Sequence, residues 1–342
     1  MENSPNIYEQ QRRNRKTTIL IIALFIIFFC FLGYGVDLFY FRVDPLGVLG
    51  ESRYPFPLAT VFALVFSGTT AAWSWRSGAK AVLTSAGAYP VPENDEKYQV
   101  LRNVVDEMAI ASGLPKPQIY IVPDSDPNAF ATGRDPGNSY IAVTEGLLQT
   151  LNREELQAVI GHEMSHIRNY DIRLMMIVAA LVGGILLISD WVRGIMRFGG
   201  ARGIRGGGRR SRGGGPVVLI LFLIWLLAII LAPIISQLLA MAVSRKREYL
   251  ADASGAELTR NPLALAKALE KIDSAVAPTT SIKKGSAHLC IADPVGKSVN
   301  AKEGFIAELF GTHPPISKRI TLLNAMAYQY QHAPAMAINN RR

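Results

Sequence analysis

Two textures alternate along this chain: long apolar runs, and polar stretches whose apolar residues recur every three or four positions. Four runs are of the first kind, residues 17–40, 57–75, 174–191 and 216–243. A helix needs about 20 mostly apolar residues to cross the hydrocarbon core of a bilayer. Residues 17–40 are interrupted only by Asp37 near their end. Residues 57–75 close on Trp73 and Trp75, side chains that favour the membrane interface. Residues 174–191 are shorter and include Gly183, Gly184 and Asp190, so a buried core helix competes with a span there. Arg12, Arg13, Arg15 and Lys16 precede the first run as they would in a signal peptide, but the run is too long for one and no small-x-small cleavage site follows. It reads as an uncleaved anchor.

The polar stretches carry shorter elements. Asn152 followed by Glu155 forms a helix-capping signature, and Leu156, Val159, Ile160 and Ile167 continue it as an apolar stripe. Residues 128–132 and 139–144 read as short strands around a turn at Asp135-Pro136-Gly137-Asn138. Asn261-Pro262 starts a helix continued by Leu263, Leu265, Leu269 and Ile272; residues 278–300 are loop-rich, and residues 317–330 read as a last helix. The expected fold is an α-rich α+β membrane protein, with a small sheet and about four transmembrane or membrane-associated helices. Its expected parts are an anchor over residues 1–79, a first soluble piece over 80–173, a membrane hairpin over 174–243 and a second soluble piece over 244–342.

Composition and charge add direction. Of 342 residues, 49% are hydrophobic, with a positive mean hydropathy, too apolar and too unevenly so for an ordinary soluble enzyme. The basic residues ahead of the first run, with Arg76 and Lys80 after the second, place both flanks in the cytoplasm. The soluble pieces then face the cytoplasmic side of the cell (inner or plasma) membrane. Cys30 and Cys290 offer no disulfide framework, which fits a reducing compartment. Residues 192–215 contradict the charge bias. Arg193, Arg197, Arg202, Arg205, Arg209, Arg210 and Arg212 lie there among glycines, and they fall on the outer side if both flanking runs cross fully. Phe198 alone among these arginines makes no aromatic platform, so the loop suits lipid headgroup phosphates and no specific nucleic acid.

The chemistry is concentrated in His162-Glu163-Met164-Ser165-His166. Residues four apart share one face of a helix, so His162 and His166 can grip one metal ion together. Glu163 sits about 100° around from His162, within reach of a water at the metal's open position. Imidazole suits Zn²⁺, and a catalytic zinc keeps three protein ligands. The domain is therefore expected to be of the zincin type (gluzincin-like), with one Zn²⁺ per chain and Glu163 as general base. A structural zinc on a non-enzymatic membrane scaffold has no need of such a base. The third ligand is expected from a second helix. Glu248 and Asp252 are four apart beside small alanines, and fit as ligand and as acceptor for a ligand histidine N–H; Glu257 is the rival ligand. A sheet edge at Asn128, Ala129, Phe130 and Ala131, exposed beside the metal, would bind substrate in extended form.

These residues together resemble the M48 family of integral-membrane zinc metallopeptidases, in its bacterial heat-shock HtpX-type branch, related to the Ste24 CAAX prenyl proteases. The resemblance is carried by Asn128 to Gly133, Ala142 to Leu148, His162 to Ile167, Ser244 to Ala253, and Thr312-His313-Pro314-Pro315 with Arg319. It implies His162, His166 and Glu248 as ligands, Glu163 as base, and His313 and Arg319 as catalytic groups near the developing oxyanion. It also implies quality control of misfolded or damaged membrane proteins, with unfolded segments and the lipid bilayer as partners. A processing protease acting on prenylated C-terminal peptides uses the same chemistry and is the alternative. The Arg-Gly loop is longer than is usual for the family.

Overall fold

The computed structural model describes residues 7–41, 43, 56–179, 216–275, 281, 289–292 and 314–339. Two compact units divide the chain: one of Met1–Lys16, Arg76–Ala179 and Leu238–Arg342, the other of Thr17–Trp75 and Ala180–Gln237. In chain order the helices are α1 (Ile7–Val36), α2 (Leu58–Ser85), α3 (Gln99–Ser112), α4 (Glu145–Thr150), α5 (Arg153–Arg168), α6 (Pro216–Thr259), α7 (Pro262–Ser274) and α8 (Ile316–Asn339). The strands are β1 (Tyr89–Pro90), β2 (Gln118–Val122), β3 (Ala129–Asp135) and β4 (Asn138–Thr144).

The second unit holds the apolar helices. Among the described residues, two stretches, Gln11–Phe41 and Leu58–Ser85, are long and apolar enough to cross a membrane. Both helices run beyond the expected spans: α1 starts ahead of residue 17 and α2 continues past Trp75, because no proline or capping residue stops them there. Leu219–Leu231 is a shorter apolar stretch within α6. Asp37, the one polar interruption of the first run, has a structural task. Its carboxylate accepts from the backbone N–H groups of Ala59 (2.9 Å) and Thr60 (2.7 Å) at the start of α2. It thereby satisfies donors that a helix start leaves open. The indole N–H of Trp225 donates to the Leu32 carbonyl at 3.2 Å. Side chains such as Ile19, Ile27 and Phe62 stay outward and exposed, as a lipid-facing surface requires.

The first unit is built on a four-stranded sheet of order β1-β2-β4-β3. β3 and β4 form the expected antiparallel hairpin, with Phe130 opposite Ala142 and Thr132 opposite Tyr140. β2 joins β4 in parallel, which local patterning gave no means to foresee. Val104, Val105 and Met108 of α3 share one core with Val159, Ile160 and Met164 of α5, Leu265 and Leu269 of α7, and the sheet residues Ile121, Ile141 and Val143. Full burial of side chains of this size contributes about 1.5–3 kcal/mol each. Of the third apolar run, only its start is among the described residues. Leu174, Met175, Met176, Ile177, Val178 and Ala179 are all buried there.

Candidate active site

Helix α5 begins with a reciprocal capping box. Asn152 accepts from the Glu155 N–H through its side chain (2.9 Å), and Glu155 accepts in return from the Asn152 N–H (2.9 Å). Lys271 of α7 pairs with the same Glu155 carboxylate at 2.7 Å, so the helix start is anchored to a neighbour. From that start the 3.6-residue repeat carries His162, Glu163 and His166 inward, and all three are buried. The two imidazole rings meet edge-on at 86°, with their Nε2 atoms 3.2 Å apart.

Helix α6 supplies the third member. A Cβ added to Gly255 would lie 2.8 Å from the His162 backbone nitrogen and 2.9 Å from its Cα, so only glycine allows α6 this close to α5. Two turns earlier on α6, Glu248 Oε2 lies 3.6 Å from His162 Nε2, and Glu248 Oε1 lies 3.5 Å from His166 Nε2. His162, His166 and Glu248 form a group able to hold one metal ion. The spacing supports zinc: donors about 2.0–2.2 Å from one tetrahedral ion sit roughly 3.3–3.5 Å from each other.

The outer nitrogens strengthen that fit. His162 Nδ1 lies 3.0 Å from Asp252 Oδ1, and His166 Nδ1 lies 3.1 Å from Asp171 Oδ2. His166 Nδ1 is hydrogen-bonded to Asp171, His162 Nδ1 lies at ion-pair distance from Asp252, and both Nε2 atoms face the Glu248 carboxylate. Such an arrangement, buried and electron-rich, calls for a cation.

Arg319 stands behind this assembly and is fully buried. Its Nε and Nη2 donate to the two Asp252 oxygens at 2.8 and 2.7 Å, and its Nη1 donates to the Ile291 carbonyl at 2.7 Å. Nη1 also lies 3.4 Å from Glu248 Oε2. Burial works against the guanidinium charge, but Asp252 outweighs burial and keeps Arg319 protonated. Burial likewise depresses His162, and its contacts with Asp252 and Glu248 overcome this, raising its pKa to about 9 in the metal-free protein. A histidine raised in the folded state stabilises most fully below its unfolded value, about 6.5, and that contribution is lost as pH rises through the folded value. The melting temperature of metal-stripped protein is therefore expected to fall between pH 6.5 and 9.5. A flat profile across that window would contradict the His162 assignment.

Glu163 differs from its neighbours. Neither of its carboxylate oxygens has a hydrogen-bond partner, although the residue is 1% exposed. Burial pushes its pKa up, and the adjacent imidazoles of His162 and His166 pull the other way. A buried carboxylate left open in this way costs stability, a cost that a catalytic role explains.

The structure thus brings together His162, Glu163, His166, Glu248, Asp252 and Arg319. Glu257, the rival ligand, is exposed. His313 lies outside the described residues. Arg319 contacts both Asp252 and the carboxylate of Glu248. One expectation is overturned. Asn128, Ala129, Phe130 and Ala131 do not present an open sheet edge: all four are buried. Residues 289–292 close that edge, with the Ile291 N–H donating to the Ala129 carbonyl (2.9 Å) and Asn128 Nδ2 to the Ala292 carbonyl (3.2 Å). Sequence reasoning missed Asp171 and Arg247, whose Nε lies 3.2 Å from Asp171 Oδ1. An acid five residues beyond the second histidine was the available signal.

These observations define a membrane-associated protease. The sequence model of peptidase family M48 matches residues 95–327, and the chain belongs to that family. It is 41% identical to a "Protease HtpX homolog" of Caldanaerobacter subterraneus subsp. tengcongensis over 321 residues, covering 94% of this chain and 98% of the relative. It is 39% identical to the Lactobacillus helveticus protein of the same description, over 94% of this chain and all of the relative. Among solved structures, S. mikatae Ste24p aligns with a TM-score of 0.48 at 19% identity, over 93% of this chain and 66% of that protein's length.

Proposed function

We propose that this protein is a multi-pass membrane zinc endopeptidase that cleaves unfolded or damaged membrane proteins at the cytoplasmic face. The observation that carries the reading is the convergence of His162 Nε2, His166 Nε2 and the Glu248 carboxylate beside the unpaired carboxylate of Glu163. His162, His166 and Glu248 would hold one zinc. When bound, zinc supplies Lewis-acid polarisation of the scissile carbonyl and lowers the pKa of water. Glu163 accepts the proton of the attacking water at a carboxylate oxygen and returns it to the leaving amine. Asp252 and Asp171 keep the two imidazoles in the tautomer that turns Nε2 inward. Arg319 holds Asp252 in place, as a positioning residue.

The cytoplasmic assignment rests on Arg12, Arg13, Arg15 and Lys16 before the first span, and Arg76 and Lys80 after the second. The substrate assignment rests on membrane helices in a chain related to proteases of the HtpX description.

The test uses the full chain purified in detergent, stripped with a chelator and titrated with zinc while cleavage of unfolded casein is followed. Activity is expected to vanish on stripping and to return with one zinc per chain. Undiminished cleavage by the stripped protein would exclude metal catalysis. Cleavage confined to prenylated C-terminal peptides would replace the broad substrate class by a processing role.

A further inference from the structure

The basic segment ahead of the first apolar run does more than bias orientation. Gln11, Asn14 and Arg15 are spaced to share one face of α1. That face meets the turn where the histidine helix ends. Gln11 Nε2 donates to the Arg168 carbonyl at 2.8 Å, filling an acceptor that the end of α5 leaves open. Asn14 Nδ2 donates to the Asn169 carbonyl at 2.8 Å and to Asp171 Oδ1 at 2.7 Å. The Arg15 guanidinium stacks over the Tyr170 ring, 4.7 Å from its centre. Asn14 is 3% exposed and Asp171 1%, so this is a buried contact.

The turn needs such a clamp. Tyr170 has φ of 60°, a left-handed conformation that a bulky side chain rarely adopts. That turn folds the chain back so that Asp171, five residues beyond His166, faces the His166 ring. Asp171 Oδ2 then takes the His166 side while Oδ1 is held by Asn14 and by Arg247.

We infer that Asn14 is a positioning residue of the metal site: it fixes Asp171, Asp171 fixes His166, and the N-terminal segment is thereby a working part of the active site. This inference rests on the zinc reading above. It implies that a chain lacking residues 1–16 loses metal affinity even with both apolar helices retained.

The experiment measures zinc affinity of the full chain in detergent by competition with a chromophoric chelator, alongside the melting temperature of the metal-free protein. Removing a partner of a ligand histidine typically costs 10–100-fold in metal affinity, and Asn14 acts one contact further out. Asn14→Ala is therefore expected to weaken zinc binding about 5–20-fold, with the metal-free melting temperature held close to that of the wild type. Asn14→Asp keeps the shape but sets a carboxylate against Asp171, and a larger loss is expected from it. Exposed Arg12 serves as the control, and Arg12→Ala should leave zinc affinity unchanged. Equal zinc affinity in both Asn14 variants and the wild type would overturn the inference, and so would a loss of affinity that merely tracks a fall in metal-free melting temperature. A wild type that binds no zinc would remove the zinc reading itself, an outcome plainly separable from the other two.

Discussion

Glu163→Gln is expected to reduce turnover of an unfolded substrate by about 10²–10⁴-fold while zinc stays bound at one per chain, the range for loss of a positioned general base. The substitution keeps the shape of the side chain and removes only its capacity to accept a proton. Glu163 makes no side-chain hydrogen bond, and the Ala131 backbone contact is open to a glutamine oxygen as well, so the fold should tolerate the change. Neutralising a buried carboxylate that burial already disfavours should even raise stability slightly. Turnover, zinc content and melting temperature measured on the same preparation therefore separate chemistry from structure. Equal rates for variant and wild type would remove Glu163 from the mechanism and point to a contaminating protease.

The second large effect is expected at Arg319. Replacing one partner of a buried ion pair leaves the other charge uncompensated, at a typical cost of about 3–5 kcal/mol. Arg319→Met should therefore destabilise the folded chain by that order, since Asp252 would lose two short hydrogen bonds at once. The same variant should bind zinc weakly, because Asp252 orients His162 and Arg319 lies 3.4 Å from Glu248. Adding Asp252→Asn to Arg319→Met should recover much of the stability, as the stranded charge is gone while the side-chain oxygen can still accept from His162. If Arg319 acted only on the reacting carbonyl, Arg319→Met would lower turnover and leave stability and zinc affinity untouched. Denaturant unfolding and chelator competition distinguish the two roles.

Local signals in the sequence were strong where a helix start or a repeat governs the outcome. Asn152 and Glu155 marked the beginning of α5, and Asn261-Pro262 marked α7, because capping is settled within four residues. The spacing of His162 to His166, and of Glu248 to Asp252, placed each pair on one helical face for the same reason. The β3–β4 hairpin was legible from its turn residues. Asp171 was not, since its approach to His166 depends on the left-handed turn at Tyr170 and on Asn14, more than 150 residues away in sequence. The closed edge at Asn128 to Ala131 was equally hidden. A strand pattern states which side chains alternate, but not which distant segment, here residues 289–292, fills the free backbone groups.

The sequence by itself determined the apolar spans, the basic flanks and a helix presenting two histidines and a glutamate, all set by contacts within a few residues. Only the tertiary structure decided that Glu248 meets those histidines across a glycine crossing, that Arg319 braces Asp252 from behind, and that residues ahead of the anchor reach the site. Those contacts join segments far apart in the chain, and their geometry is fixed by the packing of α1, α5, α6 and α8 rather than by any local preference.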